Sequence, residues 1–224
     1  TSKSFTLAQA TEYALKRGDI VLSVSGWDTI HDMDGVIQPS TIPGMDGLYD
    51  QMLKSRRVLE EMATKYPNQL KQLKLQKPVE HYQAYGCWAR SEEDRYNAPD
   101  DNKPNPEMYP FPDPSVVARP MKTDPGETLF DLAAMGAWRV DLAGRAFVDF
   151  MEELRTQTMF PTFIAIDDVN ALVQKSDYVN PANLRVKLDA TRLTYVRALM
   201  DAINNPPQRG STMIATSGKF TAFR

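Results

Sequence analysis

The 224 residues, 42% of them hydrophobic, can bury one sizeable core, and nothing in the chain demands a second. A formal charge of -3 excludes a protein that coats nucleic acid with its whole surface, though a local basic face is compatible with it. The single cysteine, Cys87, excludes an internal disulfide framework and reads as a small packed side chain in a reducing compartment.

No apolar run reaches the roughly 18 residues of a membrane span. No homo-oligomer is implied. The chain carries neither an initiator methionine nor a targeting signal, so its biological start is expected upstream of Thr1.

Leu7, Ala8, Ala10, Ala14 and Leu15 recur at helical spacing and predict a helix from Phe5 to Lys16, ended by Gly18. Ile20-Val21-Leu22-Ser23-Val24 follows as a strand. A Lys-Ser pair that opens a helix running into a strand is the back half of a phosphate-binding loop. Its lysine reaches the β- and γ-phosphates and its hydroxyl ligates magnesium. Lys3 and Ser4 have that order, while Ser2 stands where the pattern has glycine. A Lys-Ser dipeptide alone is commonplace; the helix, the strand and a later acidic pair give it weight.

Gly26 to Gly44 is turn-rich, with Pro39 and Pro43. Within it Asp32-Met33-Asp34-Gly35 resembles a calcium loop only faintly and reads as a turn. From Met45 the pattern is helical, with Leu48, Met52, Leu59 and Met62 on one face up to Pro67, then a short helical piece over Asn68 to Gln76. The lysines and arginines on their other faces read as solvated, with phosphate-backbone contact as the sharper alternative. Residues 77–126 hold nine of the sixteen prolines, a density neither helix nor central strand tolerates. Tyr82, Tyr85, Trp88, Tyr96, Tyr109 and Phe111 argue against plain disorder and for an extended arm lying across a surface.

Glu127 begins a long helical pattern through Leu154, which Gly136 and Gly144 split into two helices. Then comes the stretch around which the rest is arranged. Phe160-Pro161-Thr162-Phe163-Ile164-Ala165-Ile166-Asp167-Asp168 is an unbroken apolar run closed by two acids, the signature of a strand buried on both faces of a parallel sheet. Ligands gather at the carboxyl ends of such strands, and there a carboxylate holds the magnesium of a bound nucleotide in phosphate-loop proteins. The plain alternative is a strand entering an acidic, solvated turn. Asn180-Pro181 marks a turn, Arg185 to Ile203 reads as a helix, and Ser211 to Gly218 reads as a strand with a polar end. Thr216 or Ser217 would serve there as a small polar sensor near the γ-phosphate.

The expected fold is therefore α/β: one three-layer, phosphate-loop-NTPase-like domain over 1–224, of the AAA+ or additional-strand type, with a parallel sheet flanked by helices and 77–126 as a proline-rich extension. The strand preceding the phosphate loop is expected upstream, since its loss would expose a sheet edge.

Lys3-Ser4, Asp19 to Val24, the Pro39 region with its following helix, Trp138-Arg139-Val140, and above all Ile164-Ala165-Ile166-Asp167-Asp168-Val169-Asn170-Ala171-Leu172 resemble the mitochondrial small-subunit ribosomal proteins of the death-associated protein 3 family. The similarity covers residues 1 to 75 and 127 to 220. The resemblance implies a mitochondrial structural constituent of the head of the small ribosomal subunit that contacts ribosomal RNA and neighbouring ribosomal proteins. It further implies a bound purine nucleotide, GTP or GDP, with magnesium, held by Ser2, Lys3, Ser4, Asp167 and Ser217, of which Ser4 and Asp167 would ligate the metal. No Asn-Lys-x-Asp motif selects guanine, so ATP remains an alternative.

Hydrolytic relatives of the fold place a glutamate after the magnesium aspartate to orient the attacking water. Here Asp168 fills that position, one methylene shorter, and misplacing such a group by about 1 Å can cost ~100-fold in rate. Slow or negligible turnover follows. The competing readings are an active ATPase or GTPase switch of the AAA+ or signalling type, and a scaffold with a degenerate site. His31 and His81 have no partners at metal-ligand spacing.

Overall fold

The computed structural model describes residues 2–31, 37–77, 128–181 and 183–216. The proline-rich arm beyond Lys77, the Asp32 to Gly35 turn, Cys87 and His81 lie outside the described residues. The chain divides into two compact units, residues 1–51 with 154–224 and residues 52–153.

The first unit is built on a parallel sheet of three strands: β1 (Ile20–Ser25), β4 (Thr162–Asp167) and β7 (Gly210–Ile214), in the order β1-β4-β7. Ile20 lies opposite Thr162 and Ser25 opposite Asp167, while Thr162 lies opposite Gly210 on the other side. Thr162 to Ile166 are all buried, as an unbroken apolar run between two neighbours requires. Helix α1 (Ser2–Arg17) buries Leu7 and Ala14 and packs along β1 and β4. Gly18, at φ +85°, closes it in the left-handed conformation expected of a helix-ending glycine. Helix α2 (Gly26–His31) follows β1 at once, where the sequence suggests only turns.

A second correction concerns Arg185 to Ile203, expected as one helix. The chain instead forms an antiparallel hairpin of β5 (Lys175–Asn180) and β6 (Asn183–Asp189), a 3-10 turn at Ala190–Arg192, and then helix α7 (Thr194–Asn204), which packs on β7. The reason is a competing period. Ser176 and Tyr178 are buried between the more accessible Lys175, Asp177 and Val179, and Leu188 is buried between exposed Lys187 and Asp189, which is the alternation of a strand. The helix expected from Met45 is likewise preempted by a short hairpin, β2 (Ile37–Pro39) with β3 (Tyr49–Gln51). This hairpin buries Asp50, whose carboxylate accepts a hydrogen bond from Thr194 Oγ1 at 2.7 Å.

The second unit is helical. It contains α3 (Met52–Lys65), the single turn α4 (Pro67–Leu70), α5 (Leu129–Trp138) and most of α6 (Val140–Thr156). The helical piece expected over Asn68 to Gln76 is thus one turn only. Thr128 caps α5 through a reciprocal pair with Asp131: the Asp131 amide donates to Thr128 Oγ1 at 3.3 Å and the Thr128 amide to Asp131 Oδ2 at 3.0 Å. Two helices replace the one long pattern, as expected, but the break falls at Arg139, not at either glycine. Gly136 lies inside α5, and a side chain has no room there: a Cβ would overlap Leu59 Cδ1 of α3 and come to 2.8 Å from Ala146 Cβ of α6. Its bare backbone lets three helices approach closely, which outweighs the intrinsic cost of glycine.

Candidate functional site

At the carboxyl end of the parallel sheet the three strand exits, all in the first unit, are tied together by main chain. β1 runs into Gly26, β4 into Asp167 and Asp168, and β7 into Ala215 and Thr216. The Val169 amide donates to Ala215 O at 2.9 Å and the Ala215 amide to Ile166 O at 2.8 Å, so the acidic turn and the β7 exit are fastened to each other. Helix α1 opens at the same place. Lys3 Nζ donates to Thr216 Oγ1 at 3.0 Å, joining residues 213 positions apart.

Each residue singled out from the sequence can therefore be located. Lys3 is an exposed residue of the first turn of α1, and half-buried Ser4 follows it. Asp167 is the last residue of β4, half-buried, and one of its oxygens, Oδ1, accepts from the Asp168 amide at 2.9 Å. Asp168 leaves the strand at φ 51°, ψ 43°, in the left-handed region, and leads into a 3-10 turn at Val169–Val173 whose Ala171 amide donates to Asp168 O at 2.8 Å. Ser2 begins α1, but its side chain, and the whole of Ser217, lie outside the described residues. Thr216, the one of the two sensor candidates that lies among the described residues, is in contact with Lys3. The geometry brings Lys3 and Thr216 into contact, and the main-chain bonds connect Thr216 to the turn bearing Asp167 and Asp168.

One residue escaped the sequence reading. A Cβ at Gly26 would lie 2.6 Å from Asp168 O and 3.1 Å from Asp167 O. The only sequence signal was a glycine immediately after a buried strand, which reads equally as any turn.

Behind Gly26, α2 ends in His31, whose Nδ1 is 2.7 Å from Asp177 Oδ2 and whose ring lies 3.8 Å, centroid to centroid, from that of Trp27. Hydrogen bonding from Lys187, and then from His31, holds the Asp177 carboxyl below the usual aspartate range. In the β2–β3 hairpin, burial pushes the Asp50 carboxyl above its ordinary value, an effect that hydrogen bonds from Thr194, Ser40 and Gln38 oppose.

The side chains at the strand exits offer an ammonium, hydroxyls and a carboxylate. An all-oxygen donor set of one hydroxyl and one carboxylate suits magnesium, which keeps several waters and takes few protein ligands. Among the described residues no cluster of three or more His, Cys, Asp or Glu side chains is gathered as a metal site. No described helix is long and apolar enough to cross a membrane.

A search among curated proteins gives no match. The family model described as mitochondrial ribosomal death-associated protein 3 matches residues 1–221, nearly the whole chain. The sheet whose central strand ends in Asp167 and Asp168 thus sits in a chain that belongs to the mitochondrial ribosomal death-associated protein 3 family, and the protein is a mitochondrial ribosomal protein.

Proposed function

We propose that the protein is a structural constituent of the head of the mitochondrial small ribosomal subunit and holds a purine nucleotide, GTP or GDP, with magnesium as a fixed part of its fold. The observation that carries this reading is the meeting of Lys3 with Thr216 at the end of the parallel sheet where Asp167 emerges. A cation at a helix opening, a small hydroxyl residue beyond one strand and a carboxylate at the end of the next are the elements that a triphosphate requires. The strand order β1-β4-β7, with the acidic strand in the middle, is in keeping with an additional-strand phosphate-loop sheet.

In this reading Lys3 contacts the β- and γ-phosphates, the amides opening α1 approach phosphate oxygens, Thr216 hydrogen-bonds the terminal phosphate, and Ser4 and Asp167 ligate the metal. Magnesium, when bound, neutralises charge on the phosphate oxygens. Turnover is slow or absent because Asp168 is a methylene short of the glutamate that orients water in hydrolytic relatives. Ribosomal RNA and neighbouring ribosomal proteins are the partners, with the arm over 77–126 as a candidate contact.

Two measurements on the purified protein test this reading. Co-sedimentation with mitochondrial small subunits is expected, and a chain that stays in the supernatant contradicts the structural role. In a single-turnover assay, bound GTP should persist over minutes. Hydrolysis within seconds that Asp168→Ala abolishes would instead establish an active switch.

A further inference from the structure

We infer that Gly26 and Asp168 form a positioning pair that aims the Asp167 carboxylate, and that Asp168 acts through its backbone conformation and not through its side chain as a water-orienting group. The inference deepens the nucleotide reading of this site and rests on it for its role, though not for its geometry.

Four contacts carry it. Among the described residues Asp168 is the one non-glycine with positive φ, at 51°. At the start of that turn its amide donates back to Asp167 Oδ1 at 2.9 Å, so one oxygen of the carboxylate is held by main chain. The turn is clamped on its far side by Val169 N–H to Ala215 O at 2.9 Å and Ala171 N–H to Asp168 O at 2.8 Å. On its near side stands Gly26, where a Cβ would come to 2.6 Å from Asp168 O and 3.1 Å from Asp168 C. These are main-chain atoms and cannot swing aside as a side-chain tip can. The Asp167 carbonyl, which a Cβ would meet at 3.1 Å, shares its planar peptide unit with the Asp168 amide, so a methyl group at position 26 must displace the unit that orients Asp167 as well as the Asp168 carbonyl.

The residue type at 168 agrees with a conformational task. Aspartate and asparagine enter the left-handed region far more readily than other non-glycine residues, and glutamate does not share that preference. The position has the shorter acid because the turn demands it.

The test measures GTP affinity of the full chain with magnesium and with a chelator, and takes the ratio. Groups that orient a metal-ligating carboxylate typically contribute ~10–100-fold to metal affinity, so Gly26→Ala should reduce the ratio by about that factor while the chelator affinity holds. Asp168→Gly and Asp168→Asn should keep the ratio, and Asp168→Glu should lose it. A water-orienting Asp168 predicts the opposite for glutamate, namely a gain in hydrolysis with the ratio intact. If Gly26→Ala fails to fold, Asp168→Gly in that background should restore folding, because glycine accommodates the displaced turn; no restoration overturns the proposal. If the wild-type chain binds no nucleotide, the nucleotide reading fails by itself. The positioning inference is then decided by the Gly26→Ala structure: a turn still at positive φ with the Asp167 bond unchanged refutes it, and a rotated turn supports it.

Discussion

Gly26 and Gly136 both sit where a methyl group has no room, and the difference in what crowds them separates the two units. Gly136 is hemmed in by side chains, Leu59 and Ala146, in a bundle where Leu132, Phe147 and Phe150 are completely buried. Gly26 is hemmed in by main-chain carbonyls at the exit of a strand. Side-chain packing tolerates a rearrangement at a cost in stability, whereas backbone crowding at a strand exit fixes a geometry. The helical unit is specified by volume, and the sheet's carboxyl end by conformation.

Substitutions can break this contrast, starting with the largest expected effect. Phe150→Ala in the helical unit should cost about 3–5 kcal/mol in denaturant unfolding, the usual range for deleting a fully buried ring; a cost below 1 would mean that this core is not packed by volume. Gly136→Ala should cost about 1–3 kcal/mol by overpacking, partly offset by better helix propensity. Combined with Leu59→Ala it should cost less than the two changes separately, and strict additivity would show that the two sites do not touch.

Within the sheet unit, Thr194→Val removes a donor to buried Asp50 and should cost about 1–3 kcal/mol at neutral pH. Because burial raises the Asp50 pKa in the folded state, its favourable contribution is complete below the ordinary aspartate value and lost as pH rises through the raised one. The Thr194→Val penalty should therefore shrink on acidification toward pH ~4, the ordinary aspartate value, when Asp50 carries a proton and needs fewer donors. A penalty independent of pH would contradict that reading.

Lys77 offers the corresponding probe of the helical unit. Burial alone would lower its pKa, but its ion pairs with Asp149 and Glu152 outweigh burial and hold it above the ordinary lysine value. Its stabilising contribution is therefore complete below the ordinary lysine value and disappears as pH rises through the raised one. Lys77→Met should flatten the alkaline limb of the stability profile, and an unchanged limb would place the titration elsewhere. The smallest expected effect is at Asp177, held low by Lys187 and His31. Lys187→Met should move its carboxyl titration, followed by NMR, back toward the ordinary aspartate range.

The sequence announces most where physics is most repetitive. The buried run from Thr162 to Ile166, the α1 periodicity and the glycine stop at Gly18 each appear as their composition suggests, because burial and capping leave local signatures. The hairpin over 175–189 was missed because the strong helical period of Leu193, Val196, Leu199, Met200 and Ile203 was extended back to Arg185, over a stretch where only pairing between β5 and β6 marks the strands. Gly136 was read as a helix breaker, although the neighbours that require a glycine lie on other helices, Leu59 77 positions earlier and Ala146 10 positions later. The residues named for the candidate site were the charges Lys3 and Asp167 and a hydroxyl at Thr216 or Ser217, of which the structure places Lys3 against Thr216. Gly26 was not, since the carbonyls it accommodates belong to residues 141 and 142 positions later. Close approach between distant strands leaves no mark in either local sequence.

The central claim is that Lys3, Ser4 and Asp167 serve one nucleotide, and equilibrium titration of GTP and magnesium into the purified chain, its Lys3→Ala variant and its Asp167→Ala variant tests it most directly. The account predicts saturable binding by the wild type, loss of affinity with and without magnesium in Lys3→Ala, and loss confined to the magnesium-dependent part in Asp167→Ala. Binding that is indifferent to both substitutions, or no binding by any of the three, would contradict it.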